Sequence, residues 1–189
     1  MPSERTRVSS GVGDLDRILE GLYIGDNVVW YDDAGGLASV FAHNFIQATE
    51  AQDRPLIYVS FDRSPRNLLE KLGPLAGYRQ LTILDCFTNG KGASSEVFLR
   101  FYKTAKTDLP CEILQVKNPK NVQEVMEAVY GIHAKMTGEV HFVFESLTGM
   151  QDLWGGEDDI IDFYAHSCPR LYELRTIAYW IIEKQAHSH

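Results

Sequence analysis

Apolar positions along this chain follow two alternating rhythms. Continuous apolar runs occupy residues 28–31, 55–61, 81–84, 111–116, 140–144 and 176–182. Short unbroken runs rich in β-branched and aromatic residues mark strands covered on both faces. Between them lie segments with apolar residues three and four apart, at 38–51, 65–72, 96–106, 121–136 and 159–174. The clearest helical stripe is Val122, Val125, Met126, Val129, Tyr130 and Ile132. Ser64 followed by Pro65 is a helix start, and Gly73-Pro74 and Thr137-Gly138 are stops.

Strands alternating with helices of this length imply βαβ units. The predicted architecture is therefore α/β, a mostly parallel sheet with helices on both faces. In such sheets ligands sit beyond the carboxyl ends of the strands. That directs attention to the loops at 31–38, 61–64, 86–92 and 145–159. The final run, 176–182, is followed at once by the tail, so an apolar sheet edge is expected there.

Length and composition narrow this picture. At 189 residues the chain is expected to form one domain, 1–189. No run approaches the roughly 18 apolar residues that cross a bilayer, and the start lacks the apolar core of a secretory signal. Cys86, Cys111 and Cys168 are sparse and form no CxxC pair, which suggests free thiols in a reducing cytoplasm and no zinc cage. The net charge of −8 argues against binding to nucleic acid or an anionic membrane. Charge is uneven. Seven carboxylates and no Lys or Arg lie between Glu139 and Asp162, whereas six basic residues outnumber three acidic ones between Lys91 and Lys120. These are either two solvated faces or a surface for a protein partner, such as a second copy of the chain.

The corner at 31–38 carries the candidate chemistry. A strand, a short Gly-bearing loop and a helix form the layout of a phosphate-binding loop, G-x-x-x-x-G-K-[ST]. In that frame this chain has Asp32, Asp33, Ala34, Gly35, Gly36, Leu37, Ala38 and Ser39. Asp32 and Leu37 stand at the two Gly positions, Ala38 at the Lys position, and only Ser39 fills its place. Asp32 brings a negative charge toward a phosphate, and Ala38 removes the compensating cation. Leu37 puts a side chain where the backbone must approach closely.

Four segments in order carry a resemblance to the RecA/KaiC-like ATPase family. "RVSSGVGDLDRILEGLYIGDNVVW" resembles its opening, "LIYVSFDRSPRNLLEKL" its next strand and helix, "VHFVFESLTGM" its Walker B strand, and "TIAYWIIEK" the following core strand. The resemblance implies a RecA-like (P-loop NTPase type) fold, self-assembly, and nucleotide at subunit interfaces. It also implies that further C-terminal strands usual in the family are lacking here.

Residue by residue, the resemblance puts Ala38 at the Walker lysine, Ser39 at the magnesium-binding hydroxyl, Asp62 and Arg63 at the catalytic glutamate pair, and Glu145 at the Walker B aspartate. Every charged catalytic position has changed. The expectation is a degenerate Walker A loop in a pseudo-ATPase, a non-catalytic regulatory or scaffold domain without catalytic or metal-binding residues and without a cofactor. The alternative is a nucleotide-binding switch or weak ATPase using ATP and magnesium at an altered site.

Other candidates have plainer explanations. His141 and Glu145 lack a third ligand at a sensible spacing for a metal, and His141 is expected as a polar residue at a strand edge. The Gly-Lys pair in Asn89-Gly90-Lys91-Gly92 is expected in a surface turn. Met150, Leu153 and Trp154 either pack a loop onto the sheet or present a partner contact at the rim of the pocket.

Overall fold

The computed structural model describes residues 6–33, 36–104 and 109–184. Its strands are β1 (Arg7–Val8), β2 (Leu22–Tyr23), β3 (Asn27–Asp33), β4 (Leu56–Ser60), β5 (Leu81–Asp85), β6 (Glu112–Gln115), β7 (His141–Glu145) and β8 (Ile177–Lys184). Its helices are α1 (Gly13–Leu19), α2 (Ala38–Ala51), α3 (Pro65–Leu72), α4 (Glu96–Thr104), α5 (Val122–His133), α6 (Leu147–Trp154) and α7 (Glu157–Glu173). Among these residues no helix is long and apolar enough to cross a membrane.

Six strands form one sheet in the order β3-β8-β7-β4-β5-β6, and every neighbouring pair is parallel. Alternation along each strand sorts side chains to two cores. Leu56, Tyr58, Val143, Tyr179 and Ile181 meet Phe45 and Ile46 of α2 and Leu68 of α3. Ile57, Val59, Phe142, Phe144 and Trp180 meet Val125 and Val129 of α5, Met150 of α6 and Phe163 of α7. The runs at 55–61, 81–84, 140–144 and 176–182 are thus strands sandwiched between helices, as the pattern predicted, whereas the runs at 28–31 and 111–116 form strands that are only partly covered.

Several expectations are corrected. β8 is no sheet edge: it pairs with β3 on one side and β7 on the other, and Tyr179 and Trp180 are fully buried. A strand late in the chain is inserted into the sheet because a crossover brings it between strands already present. The edge strands are β3 and β6. On β3, Val29 is 42% and Tyr31 66% exposed.

His141 lies on the interior strand β7 and is buried, not at a strand edge. The loop at 145–159 contains α6, capped by Ser146, whose side chain accepts from the Gly149 amide. The β1–β2 pair and α1 were not anticipated, because elements of two and seven residues carry little periodic signal.

The acidic 139–162 segment is not a single face. Glu139 precedes β7 and pairs with Arg54 and Arg175, Glu145 ends that strand in a buried ion pair, and Asp152 pairs with Lys91 from α6.

Candidate functional site

The corner is built from the carboxyl ends of four adjacent strands. β3 continues to Asp33, two residues beyond the predicted run, and α2 begins at Ala38. Ala34 and Gly35 lie outside the described residues. The Gly36 amide donates to the Asp33 carbonyl at 2.8 Å, closing the turn.

Leu37 occupies the N-cap position of α2 but offers no side-chain acceptor, and the first turn holds no acidic residue. Asp32 supplies the missing acceptor. Its Oδ2 accepts from the Ala38 amide at 2.7 Å. A Cβ on Gly36 would overlap the Asp32 carboxylate, so glycine at 36 leaves that side chain room in its present place.

The second wall comes from the turn after β4. Ser60 Oγ donates to the Arg63 carbonyl at 3.1 Å. Ser64 caps α3 by accepting from the Asn67 amide, and Pro65 opens the helix. This turn aims Arg63 at the end of β7. Arg63 Nε donates to Glu145 Oε1 at 2.8 Å, and Lys71 Nζ from the last turn of α3 donates to the same oxygen at 3.1 Å. Glu145 is only 5% exposed.

Burial works against the Arg63 charge, but the Glu145 carboxylate outweighs it and pushes the guanidinium pKa up. Burial, then Glu145, pushes the Tyr58 phenol well above its ordinary range, so it stays protonated.

The third wall is polar and internally tied. Ser146 Oγ donates to Asp62. Lys91 Nζ bridges Asp62 and Asp152, the latter at 2.7 Å. Burial opposes the Lys91 charge, yet Asp152 and Asp62 raise its pKa on balance. The peptide between Glu145 and Ser146 is cis.

Of the predicted residues, Asp32, Asp33, Gly36, Ala38, Ser39, Asp62, Arg63 and Glu145 line one cleft of about 260 Å³. Leu37 does not line it and is 59% exposed. Lys71 and Ser146 also line the cleft, and Lys91 braces its wall. Sequence reasoning missed all three. Only Lys91 had a signal, the Gly-Lys pair, which was assigned to a surface turn.

Trp154 is committed to packing. Its indole N–H donates to the Pro119 carbonyl at 2.8 Å, and its ring packs against Phe61 and Phe163. Met150 is fully buried. Among the described residues no three His, Cys, Asp or Glu side chains cluster as a metal site would require.

The chemistry of this cleft is that of satisfied charges. Asp32, Asp62 and Glu145 each accept a hydrogen bond or ion pair from inside the protein.

No protein-family model matches the sequence, and no curated protein matches it. Solved structures do match the fold. One is the crystal structure of a KaiC-like protein from the hyperthermophilic archaeon Pyrococcus horikoshii OT3, 17% identical, with a TM-score of 0.64 over 97% of this chain and 73% of that one. With its all-parallel six-stranded sheet, helices on both faces and a cleft at the carboxyl ends of the strands, this chain has a RecA/KaiC-like fold.

Proposed function

We propose that this chain is a non-catalytic KaiC-like regulatory or scaffold domain, a pseudo-ATPase with a degenerate Walker A corner. The observation that carries the proposal is the contact between Asp32 and the Ala38 amide. The position where a phosphate loop bears its lysine has no cation, and the helix terminus beside it holds a carboxylate.

Magnesium-ATP fits these residues poorly. A phosphate charge about 4 Å from Asp32 costs on the order of 4 kcal/mol at an effective dielectric near 20. The α2 terminus returns only about 0.3–1 kcal/mol. Ser39 keeps its hydroxyl, but the carboxylates at 62 and 145 are tied to Lys91, Arg63 and Lys71.

A magnesium-ATP titration followed by thermal melting tests this reading. A site filled at a hundred times its dissociation constant stabilises by about 2.7 kcal/mol. We expect no rise in melting temperature. A rise that disappears in Gly36→Trp, which blocks the cleft, overturns the proposal.

One observation favours the second reading, a nucleotide-binding switch or weak ATPase. Arg63 and Lys71 bring two cations to the cleft that the usual motif does not predict. The same titration separates the two.

By the first reading the domain works in the cytoplasm through a second copy of itself or another protein. Among the described residues β3 pairs with a strand on one side only, with Val29 42% and Tyr31 66% exposed, which supports this, because proteins usually cover such edges.

A further inference from the structure

Two features of the cleft attract anions, and each already has one. The first is the start of α2, a 14-residue helix whose N-cap residue provides no acceptor. Exposed amides and the macrodipole make such an end a place for negative charge. The second is the pair Arg63 and Lys71, two cations converging on one oxygen. Charge-assisted contacts of this kind ordinarily serve a carboxylate or a phosphate.

We propose that this corner is a phosphoryl-type anion site that the chain fills with its own carboxylates, Asp32 on the helix end and Glu145 on the cation pair. The inference deepens the proposed function and rests on its reading of the cleft as degenerate.

Three facts bear on it. Asp32 reaches forward six residues to the Ala38 amide, and Gly36 leaves the space for its carboxylate. Glu145 is buried, and one of its oxygens accepts from both cations. Finally, both carboxylates line the same cleft, whose volume of about 260 Å³ admits a small anion. A tethered ligand competes at high effective concentration, so a free anion is shut out while Asp32 and Glu145 hold these places.

The test uses inorganic pyrophosphate and the full chain. Calorimetry compares the wild type with Asp32→Ala, Glu145→Gln and the double variant, and the Ala38 amide resonance is followed in each. Wild type should show no saturable binding. The double variant should bind at least about tenfold more tightly, a change of about 1.4 kcal/mol, and each single variant should fall between. The Ala38 amide should shift with pyrophosphate only where Asp32 has been replaced. Adding Arg63→Gln to the double variant should abolish the gain.

If the double variant does not fold, the two single variants decide the matter by the same criteria. Variants that bind no more tightly than wild type overturn the self-filled site. If wild type also refuses magnesium-ATP in that case, the pseudo-ATPase reading stands and only this inference falls. Wild-type binding of magnesium-ATP overturns that reading instead.

Discussion

Thr49 fixes the tautomer of the buried His141. Thr49 Oγ1 lies 2.7 Å from the Phe45 carbonyl, which can only accept, and 2.8 Å from His141 Nδ1. The hydroxyl has a single proton, and it goes to the carbonyl. His141 Nδ1 therefore carries a proton and donates to Thr49. The remaining lone pair sits on Nε2, which is buried without a partner among the described residues.

This arrangement predicts a specific loss of stability in mild acid. Burial, assisted by Arg54 and opposed by Glu139, lowers the His141 pKa from 6.5 to about 3. The unfolded chain therefore takes up this proton first, and stability rises with pH between the two values. The contribution is complete above about 6.5 and is lost progressively toward 3. One proton corresponds to a slope of at most about 1.4 kcal/mol per pH unit. Burial shifts His133 in the same direction. Urea midpoints should fall between pH 6.5 and about 5, above the range where carboxylates titrate, and His141→Gln should flatten that limb. An unchanged limb in the variant would assign the effect elsewhere.

Gly36 and Asp32 should be coupled. An added methyl at residue 36 displaces the Asp32 carboxylate, the movable partner, from the Ala38 amide. Gly36→Ala should cost about 0.5–2 kcal/mol, the usual range for loss of an N-cap. In an Asp32→Ala background that cost should largely vanish. Chemical denaturation of the four proteins in this cycle measures the coupling.

Arg63 and Lys71 should behave non-additively. Either cation alone still neutralises Glu145, whereas losing both leaves a buried carboxylate without compensation. Arg63→Ala should cost about 1.5–3 kcal/mol, typical of a hydrogen bond to a charged group, and Lys71→Ala should cost less. The double variant should lose more than the sum. Additive losses would mean that Glu145 finds another counter-charge.

Restoring the motif lysine should not restore turnover. In Ala38→Lys, Asp32 remains beside the new ammonium and becomes its partner, while Arg63 still stands at a carboxylate position. Phosphate release should stay at the wild-type background. Turnover above it would show that the lysine alone was limiting.

Assembly should be visible in sedimentation. A scaffold role predicts species heavier than the 21.4 kDa chain at micromolar concentration. Trp154→Ala should lower stability with little effect on association, because the indole is engaged by Pro119, Phe61 and Phe163. A monomer throughout would remove assembly from the proposal.

Much of the architecture was legible because it rests on local periodicity. The run at 55–61 became β4 (Leu56–Ser60), and the stripe at 121–136 became α5 with Asn121 accepting from the Gln123 and Glu124 amides. Ser64-Pro65 opened α3 as its residue types required. These features depend on neighbours within a few positions, which a linear reading contains.

What the sequence determined by itself was the α/β class, the six strands of the large sheet and the longer helices, and the missing lysine at Ala38. Each follows from side-chain identity and short-range spacing. Only the tertiary structure decided that β8 enters between β3 and β7, which put β3 and not β8 at the edge of the sheet among the described residues. It alone placed Lys71 on Glu145, 74 positions away, and Lys91 on Asp62, 29 positions away. It also turned Asp32 onto the Ala38 amide. Such pairings carry no periodic signature. They arise where parallel strands bring their carboxyl ends together, and there burial and charge select partners that sequence distance does not reveal.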